Sequence, residues 1–322
     1  MQAASFLKCG SLDFKKNMSA DIDQDRTPGL MCVQPKKQNG ELQMRADYHV
    51  HTEFSDDSSY TFEQVIKDAI AKGIDELCFT EHVDYGVKFD WDEVEDMPYR
   101  TAPRNTPLSN ADYPVYFERF NALKEIYKDR IRLKFGMEFG MQSHTIGRFE
   151  KLFKRYPFDF IIMSIHQIND EEYWTGEIQK KYTQKEYNER YYNELLYLVR
   201  NYHDYSVIGH LDYIVRYDPA GIYPFGKLKP VITEILKTVI EDGKGIEVNT
   251  SSHRYRLSDL TPSRDILKLY RKLGGRIITI GSDSHKPEDL GTYIDESKAE
   301  LKKLGFEHYC TFDKMQPVFH EL

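Results

Sequence analysis

Arg45-Ala46-Asp47-Tyr48-His49-Val50-His51 is a short extended run that ends in two histidines one residue apart. Successive side chains of a strand point to opposite faces, so His49 and His51 share a side while Val50 faces away. Two imidazoles placed in this way can chelate one region. The figure recurs along the chain. Residues 76–80, 132–138, 158–166, 206–210, 245–249 and 277–282 are further apolar, strand-like runs. Most are closed by a histidine or an acid, at Glu81-His82, Glu138, His166, His210 and Asp283-Ser284-His285.

Between these seven runs lie longer amphipathic segments at 61–72, 116–127, 184–201, 229–242, 263–273 and 295–304. In the first, Thr61 is placed to cap, and Phe62, Val65, Ile66, Ala69 and Ile70 form one apolar face. Gly73, Gly243 and Gly274 stand where helices should stop. The alternation is that of successive β/α units. In a β/α barrel the functional groups gather at the C-terminal strand ends, where the loops converge on one pocket. Histidines far apart in sequence therefore become neighbours.

The length of 322 residues fits one barrel or two ordinary domains, and the β/α pattern favours a single domain over 44–322. Residues 1–43 show no periodicity and read as a disordered or non-native extension, with Met44 a natural start. A net charge of −8 speaks against a nucleic-acid partner, which needs a basic surface, but not against a small phosphorylated substrate. Hydrophobic residues at 40% include no run long enough to span a membrane. Cys9, Cys32, Cys78 and Cys310 have no CxxC spacing and no secretory leader precedes them, which points to the cytoplasm. Composition does not separate a monomer from a small homo-oligomer. Two long connections, 84–114 and 167–183, follow ligand-bearing strand ends and are expected either to overhang the site or to be disordered insertions.

The collected imidazoles, with Glu138, Asp283 and, from the first loop, Asp57, suit Zn²⁺, Mn²⁺ or Fe; the lack of clustered cysteine argues against a zinc finger. Asp56 competes with Asp57 for the loop position. His144, His203, His308 and His320 lack the strand-end pattern and read as surface or packing residues, while His253, beside Arg254, stays open.

The motifs Tyr48-His49-Val50-His51-Thr52-Glu53-Phe54-Ser55-Asp56-Asp57-Ser58, Phe79-Thr80-Glu81-His82, Gly136-Met137-Glu138, Ser164-Ile165-His166, Gly209-His210-Leu211-Asp212, Glu247-Val248-Asn249-Thr250-Ser251 and Gly281-Ser282-Asp283-Ser284-His285 together resemble the PHP (polymerase and histidinol phosphatase) family, in its histidinol-phosphatase branch. The resemblance runs over roughly 45–320. It implies an α/β fold of a distorted (β/α)7, TIM-like barrel and three divalent metal ions. The ligands it implies are His49, His51, Asp57, His82, Glu138, His166, His210, Asp283 and His285, with Glu138 bridging two ions. Closely spaced ions serve phosphate-ester hydrolysis by activating water and neutralising the phosphoryl oxygens. The catalytic groups expected are Glu138, Asp283 and His285, the last two also candidates for protonating the departing alkoxide. Arg216 and Arg254 match positions where the branch carries basic residues, and a guanidinium fork fits two phosphate oxygens.

The activity this implies is hydrolysis of L-histidinol phosphate in histidine biosynthesis. For the substrate's ammonium and imidazole, loop position offers Asp84, Asp170 or Glu171, and Tyr85, Phe89, Trp91 or Tyr173. Other readings are a phosphoesterase for another small phosphomonoester, a nucleotide or phosphotyrosine, and a non-catalytic metal-binding interaction module. An amidohydrolase also uses His-x-His after a first strand, but usually relies on a lysine where Glu138 stands.

Overall fold

The computed structural model describes residues 44–90 and 108–322. The 1–43 extension, Trp91 and the middle of the 84–114 connection lie outside the described residues. Seven parallel strands form one sheet: β1 (Ala46–Val50), β2 (Glu76–Val83), β3 (Arg132–Gly140), β4 (Phe160–Ser164), β7 (Val207–Ile208), β8 (Gly245–Asn249) and β9 (Ile278–Gly281). They pair in that order. Beyond β9, Ser284 meets β1, its N–H donating to the His49 carbonyl at 3.2 Å and its carbonyl accepting from His51 at 2.9 Å. This nearly closes the barrel. All seven runs expected from sequence are strands. The barrel is distorted because β7 has two residues and pairs with β4 only at Ile162 and Met163.

Every residue of β1, β2, β4, β8 and β9 is buried, as expected of a sheet covered inside and out. The cover is α1 (Phe62–Ala71), α2 (Tyr113–Tyr127), α3 (Ile146–Phe153), α4 (Glu177–Lys181), α5 (Gln184–Asn201), α6 (Phe225–Glu241), α7 (Arg264–Lys272) and α8 (Ile294–Lys303). Gly73, Gly243 and Gly274 end α1, α6 and α7 with φ of 69°, 66° and 94°, the left-handed turn that glycine adopts freely. Thr61 does occupy the cap position of α1, but its side chain makes no cap hydrogen bond. The second helix begins three residues before the expected 116, because Asp112 accepts from Val115 N at 3.4 Å and Pro114 sits in the first turn, where its missing N–H costs nothing.

Two hairpins escaped the sequence reading. In β5 (Gln167–Ile168) and β6 (Glu171–Glu172) the strands are two residues long. The other, β10 (His308–Asp313) with β11 (Gln316–Glu321), turns through Lys314 and Met315 at φ of 48° and 66°. Such turns normally use Asn or Gly, so no turn signal marks the spot. This hairpin covers the N-terminal end of the strands: Met315 N donates to Asp159 O just before β4, and the Phe312 ring packs against Phe160 at a tilt, centroids 5.0 Å apart. The opposite, C-terminal mouth stays accessible. Among the described residues no helix is long and apolar enough to cross a membrane.

Candidate metal centre

Adjacent strands deliver their last residues to one point. In the register of β2 with β3, His82 lies directly beside Glu138. His49 comes from β1, His51 from one residue past it, His166 from two past β4, His210 from two past β7, and Asp283 and His285 from the loop after β9. Glu138 is the hub. Its Oε2 lies 3.0 Å from His82 Nδ1, 3.1 Å from His49 Nε2 and 3.5 Å from His51 Nε2. Its Oε1 faces other partners, His210 Nε2 at 2.8 Å and His166 Nε2 at 3.2 Å. Asp283 Oδ1 stands 3.7 Å from both His49 and His51. Asp57 Oδ2 closes the outer side, 3.2 Å from His285 Nε2 and 3.6 Å from His82 Nε2.

Asp56, the competing loop acid, is turned away: Lys88 Nζ lies 2.8 Å from its Oδ1 and Ser109 N donates to its Oδ2 at 3.2 Å. Unlike His49 and His51, whose two-residue spacing works by strand alternation, Asp283 and His285 have the same spacing but share the site through a turn, since β9 ends at Gly281 and Asp283 has φ +55°. His210 also has positive φ, 21°. Backbone held in such sparsely populated regions clusters at functional sites.

The donor set fits metal ions. His49 Nε2, His51 Nε2, His82 Nδ1 and Glu138 Oε2 are buried and lack a hydrogen-bond partner. Four polar atoms left so at one point would be costly without an occupant. Among the described residues four triads have ligand atoms within 4.8 Å of one another: His51/His82/His285, His49/Glu138/His210, His49/His51/Asp283 and His82/Glu138/His166.

Neighbours set the imidazole tautomers. Glu247 Oε1 accepts a hydrogen bond from His49 Nδ1–H at 2.6 Å, and Asp84 Oδ1 one from His166 Nδ1–H at 2.7 Å. Ser55 donates its hydroxyl proton to Glu81 Oε2 at 2.7 Å, so its oxygen is left to accept from His51 Nδ1 at 3.1 Å. His285 Nδ1 donates to the Asp283 carbonyl at 3.0 Å. In each case the Nε2 lone pair is left for the centre, as outer partners of metal-binding histidines do. Gly140 makes room: a Cβ there would lie 1.7 Å from Asp84 Oδ1 and 2.8 Å from His166 Nδ1.

The electrostatics suit cations. Burial alone would raise Glu138, but His49, His166 and His82 hold it well below the usual carboxylate range. Burial likewise opposes ionisation of Asp283, yet His49, Arg216 and Arg254 hold it far down. Burial, helped by His82, His285 and His49, keeps the His51 imidazole well below its ordinary value, hence neutral and able to donate a lone pair. Against burial, Asp84 and Glu138 push His166 up to about 9, so a metal ion bound at its Nε2 would have to displace a proton there.

The mouth holds a cavity of about 430 Å³. Arg216 and Arg254 line it. Arg216 donates to Ser251 Oγ at 2.6 Å and Asp283 Oδ2 at 2.9 Å, and Arg254 to the Ser282 and Asp283 carbonyls at 2.9 and 2.6 Å. Both guanidinium groups are thereby aimed before any ligand arrives. The 167–183 connection overhangs the cavity through Gln167, Glu172 and Trp174. Of the described groups expected to meet the substrate's organic part, only Asp84 lines the cavity. Asp170 is instead held by Gln142 at 2.8 Å, Glu171 by Lys181 at 2.5 Å, and Tyr173 donates to Tyr187 O at 3.2 Å. Tyr85 lies under Arg148 and Phe89 pairs with Leu108. Glu172 and Trp174, each one residue from a predicted group, line the cavity instead. Nothing in a two-residue strand such as β6 reveals from sequence which side faces in. His253 stacks on Tyr293 at 3.9 Å outside the cavity, and His144, His203, His308 and His320 also lie outside it.

A parallel β/α barrel whose C-terminal mouth gathers six histidines and three carboxylates defines a barrel protein built to hold metal. A sequence model described as the PHP domain matches residues 47–251, and the chain belongs to that family. It is 32% identical over 282 residues to the histidinol-phosphatase of Lactococcus lactis, covering 84% of this chain and 96% of that protein. The histidinol-phosphatase of Saccharomyces cerevisiae is 21% identical over 84% of this chain and 92% of its own. Among solved structures, the chain resembles histidinol phosphate phosphatase from Lactococcus lactis complexed with zinc, L-histidinol and phosphate. There the TM-score is 0.73 and the identity 31%, over 85% of this chain and 98% of that one.

Proposed function

We propose that this protein is a histidinol-phosphatase, a metal-dependent phosphomonoesterase that releases phosphate from L-histidinol phosphate. The observation that carries this is Glu138, buried and ionised, with separate oxygens turned to separate histidine sets while two pre-aimed arginines line the same cavity. Similarity to relatives named histidinol-phosphatase supports the substrate.

His49, His51, Asp57, His82, Glu138, His166, His210, Asp283 and His285 would hold up to three divalent ions of Zn, Mn or Fe, with Glu138 shared between two. When bound, such ions activate water and neutralise charge on phosphoryl oxygens. The protein's own groups do the rest. Arg216 and Arg254 bind the phosphoryl group and orient it, because phosphoryl transfer depends mainly on positioning and charge stabilisation. Asp283, held ionised, serves as a ligand and fixes Arg216 rather than donating a proton. Glu172 and Trp174 offer a carboxylate and an aromatic face to the ammonium and imidazole of the substrate.

The test is phosphate release from L-histidinol phosphate, p-nitrophenyl phosphate and a nucleoside monophosphate, before and after chelation and on return of Zn²⁺ or Mn²⁺. A metal-restored preference for histidinol phosphate by orders of magnitude is expected. Equal rates on all three esters would remove the substrate assignment, and no hydrolysis by the metal-loaded protein would remove the activity.

A further inference from the structure

Lys88 is a buried lysine whose place in the chemistry is not explained by the ligand set or the phosphate. It follows β2 in a tight turn, its N–H donating to Asp84 O at 3.1 Å. Its side chain is 9% exposed, and Nζ lies between two carboxylates, 2.8 Å from Asp56 Oδ1 and 3.0 Å from Asp84 Oδ2. The two acids belong to different arms of the centre. Asp56 immediately precedes Asp57 on the loop after β1, and Asp84 holds His166 Nδ1 at 2.7 Å. The same connection adds to both ends: Ser109 N donates to Asp56 Oδ2 at 3.2 Å, and the Asn110 side-chain Oδ1 accepts from the Asp84 backbone N–H at 2.7 Å.

We infer that Lys88 is a positioning residue that sets two metal-binding arms at once, holding Asp56 off the centre so that Asp57 serves it, and fixing Asp84 so that His166 presents Nε2. Both arms meet at His82, which shares one triad with His166 and another with His285. The inference rests on the reading that these residues hold metal.

Charge alone argues the opposite sign. Removing a cation that stands between two carboxylates leaves more negative charge beside the ions and would tighten them, since opposite charges attract more strongly in a buried site. If Lys88 acts by position, removing it loosens them. Loss of an outer partner of a ligand typically lowers metal affinity about 10–100-fold.

The experiment strips the full-length protein of metal, equilibrates it with a series of buffered free Zn²⁺ concentrations, and counts bound zinc per chain, with circular dichroism to confirm the fold. Lys88→Met is expected to weaken at least one class of zinc by about 10–100-fold. Lys88→Arg, which keeps a donor cation, is expected to restore most of it. Asp56→Asn removes the charge from the first-loop contact alone and tests the same idea where Lys88→Met does not fold, with one class of zinc weakened several-fold. Zinc bound by Lys88→Met or Asp56→Asn as tightly as by the wild type, or more tightly, overturns the inference. A wild type that binds no zinc would instead overturn the metal-centre reading beneath it.

Discussion

Replacing Gly140 with alanine should damage the centre without touching a ligand. Gly140 ends β3 at an ordinary φ, so alanine suffers no backbone strain there, and the whole effect comes from the added methyl. That methyl would sit 1.7 Å from Asp84 Oδ1, whereas real Cβ atoms essentially never come closer than 3.0 Å to a neighbour. The carboxylate must therefore swing away, and the surroundings oppose it: Asp84 is buried, bonded to His166 at 2.7 Å and paired with Lys88 at 3.0 Å. A hydrogen bond to a charged group contributes about 1.5–3 kcal/mol, and a buried charge left without its partner costs more. The expected loss is about 2–4 kcal/mol of unfolding free energy in the metal-free protein, read from denaturant titration. With His166 no longer oriented, zinc affinity should fall about 10–100-fold. Gly147→Ala is the control, since a Cβ there meets nothing within 4 Å; in α3 it should stabilise by about 0.5–1 kcal/mol. A Gly140→Ala protein within ~0.5 kcal/mol of wild type and with unchanged zinc affinity would refute the claim that close packing at Gly140 holds the Asp84–His166 pair.

Further outcomes follow from the same geometry. Arg254→Met should lower kcat/KM for histidinol phosphate about 10²-fold when measured at saturating zinc, because Arg254 lines the cavity beside the ligands without being one; an unchanged kcat/KM in the zinc-saturated variant would contradict this. Glu247→Gln keeps the shape beside His49 but exchanges the carboxylate at 2.6 Å for an amide, and should weaken zinc about 10–100-fold by competitive chelation. Burial lowers the Lys298 ammonium from its usual 10.5 to about 8. Between those two values the unfolded chain binds the extra proton, so this lysine makes stability rise with pH from about 8 toward 10.5. Below 8 both states are charged and its full penalty applies. Lys298→Met should therefore lack that rise when unfolding is followed across the interval, and identical slopes for wild type and variant would refute the burial argument.

Periodicity placed all seven strands and the glycine stops, because apolar alternation and left-handed turns are local properties that three to ten neighbouring residues already specify. It also anticipated that the strand-end histidines converge at one mouth. His49-Val50-His51 and the strand-end histidines are spaced so that any parallel β/α closure must bring them to one mouth. The choice of Asp57 over Asp56 was not local: it depends on Lys88 and Ser109, 32 and 53 residues away, which hold Asp56 aside. The same holds for the orienting groups. Glu247 reaches His49 across 198 positions and Asp84 reaches His166 across 82, contacts that exist only once the barrel is closed. The cavity wall failed for a related reason. Glu171 and Glu172 are chemically alike, and only the phase of the two-residue strand β6, set by pairing with Gln167 and Ile168, turns one toward Lys181 and the other into the cavity. The sequence by itself therefore determined which residue types arrive at the mouth and from which strands. Tertiary structure decided which face of each loop looks inward and which partner holds each ligand still, because both depend on contacts between segments whose separation no local pattern encodes.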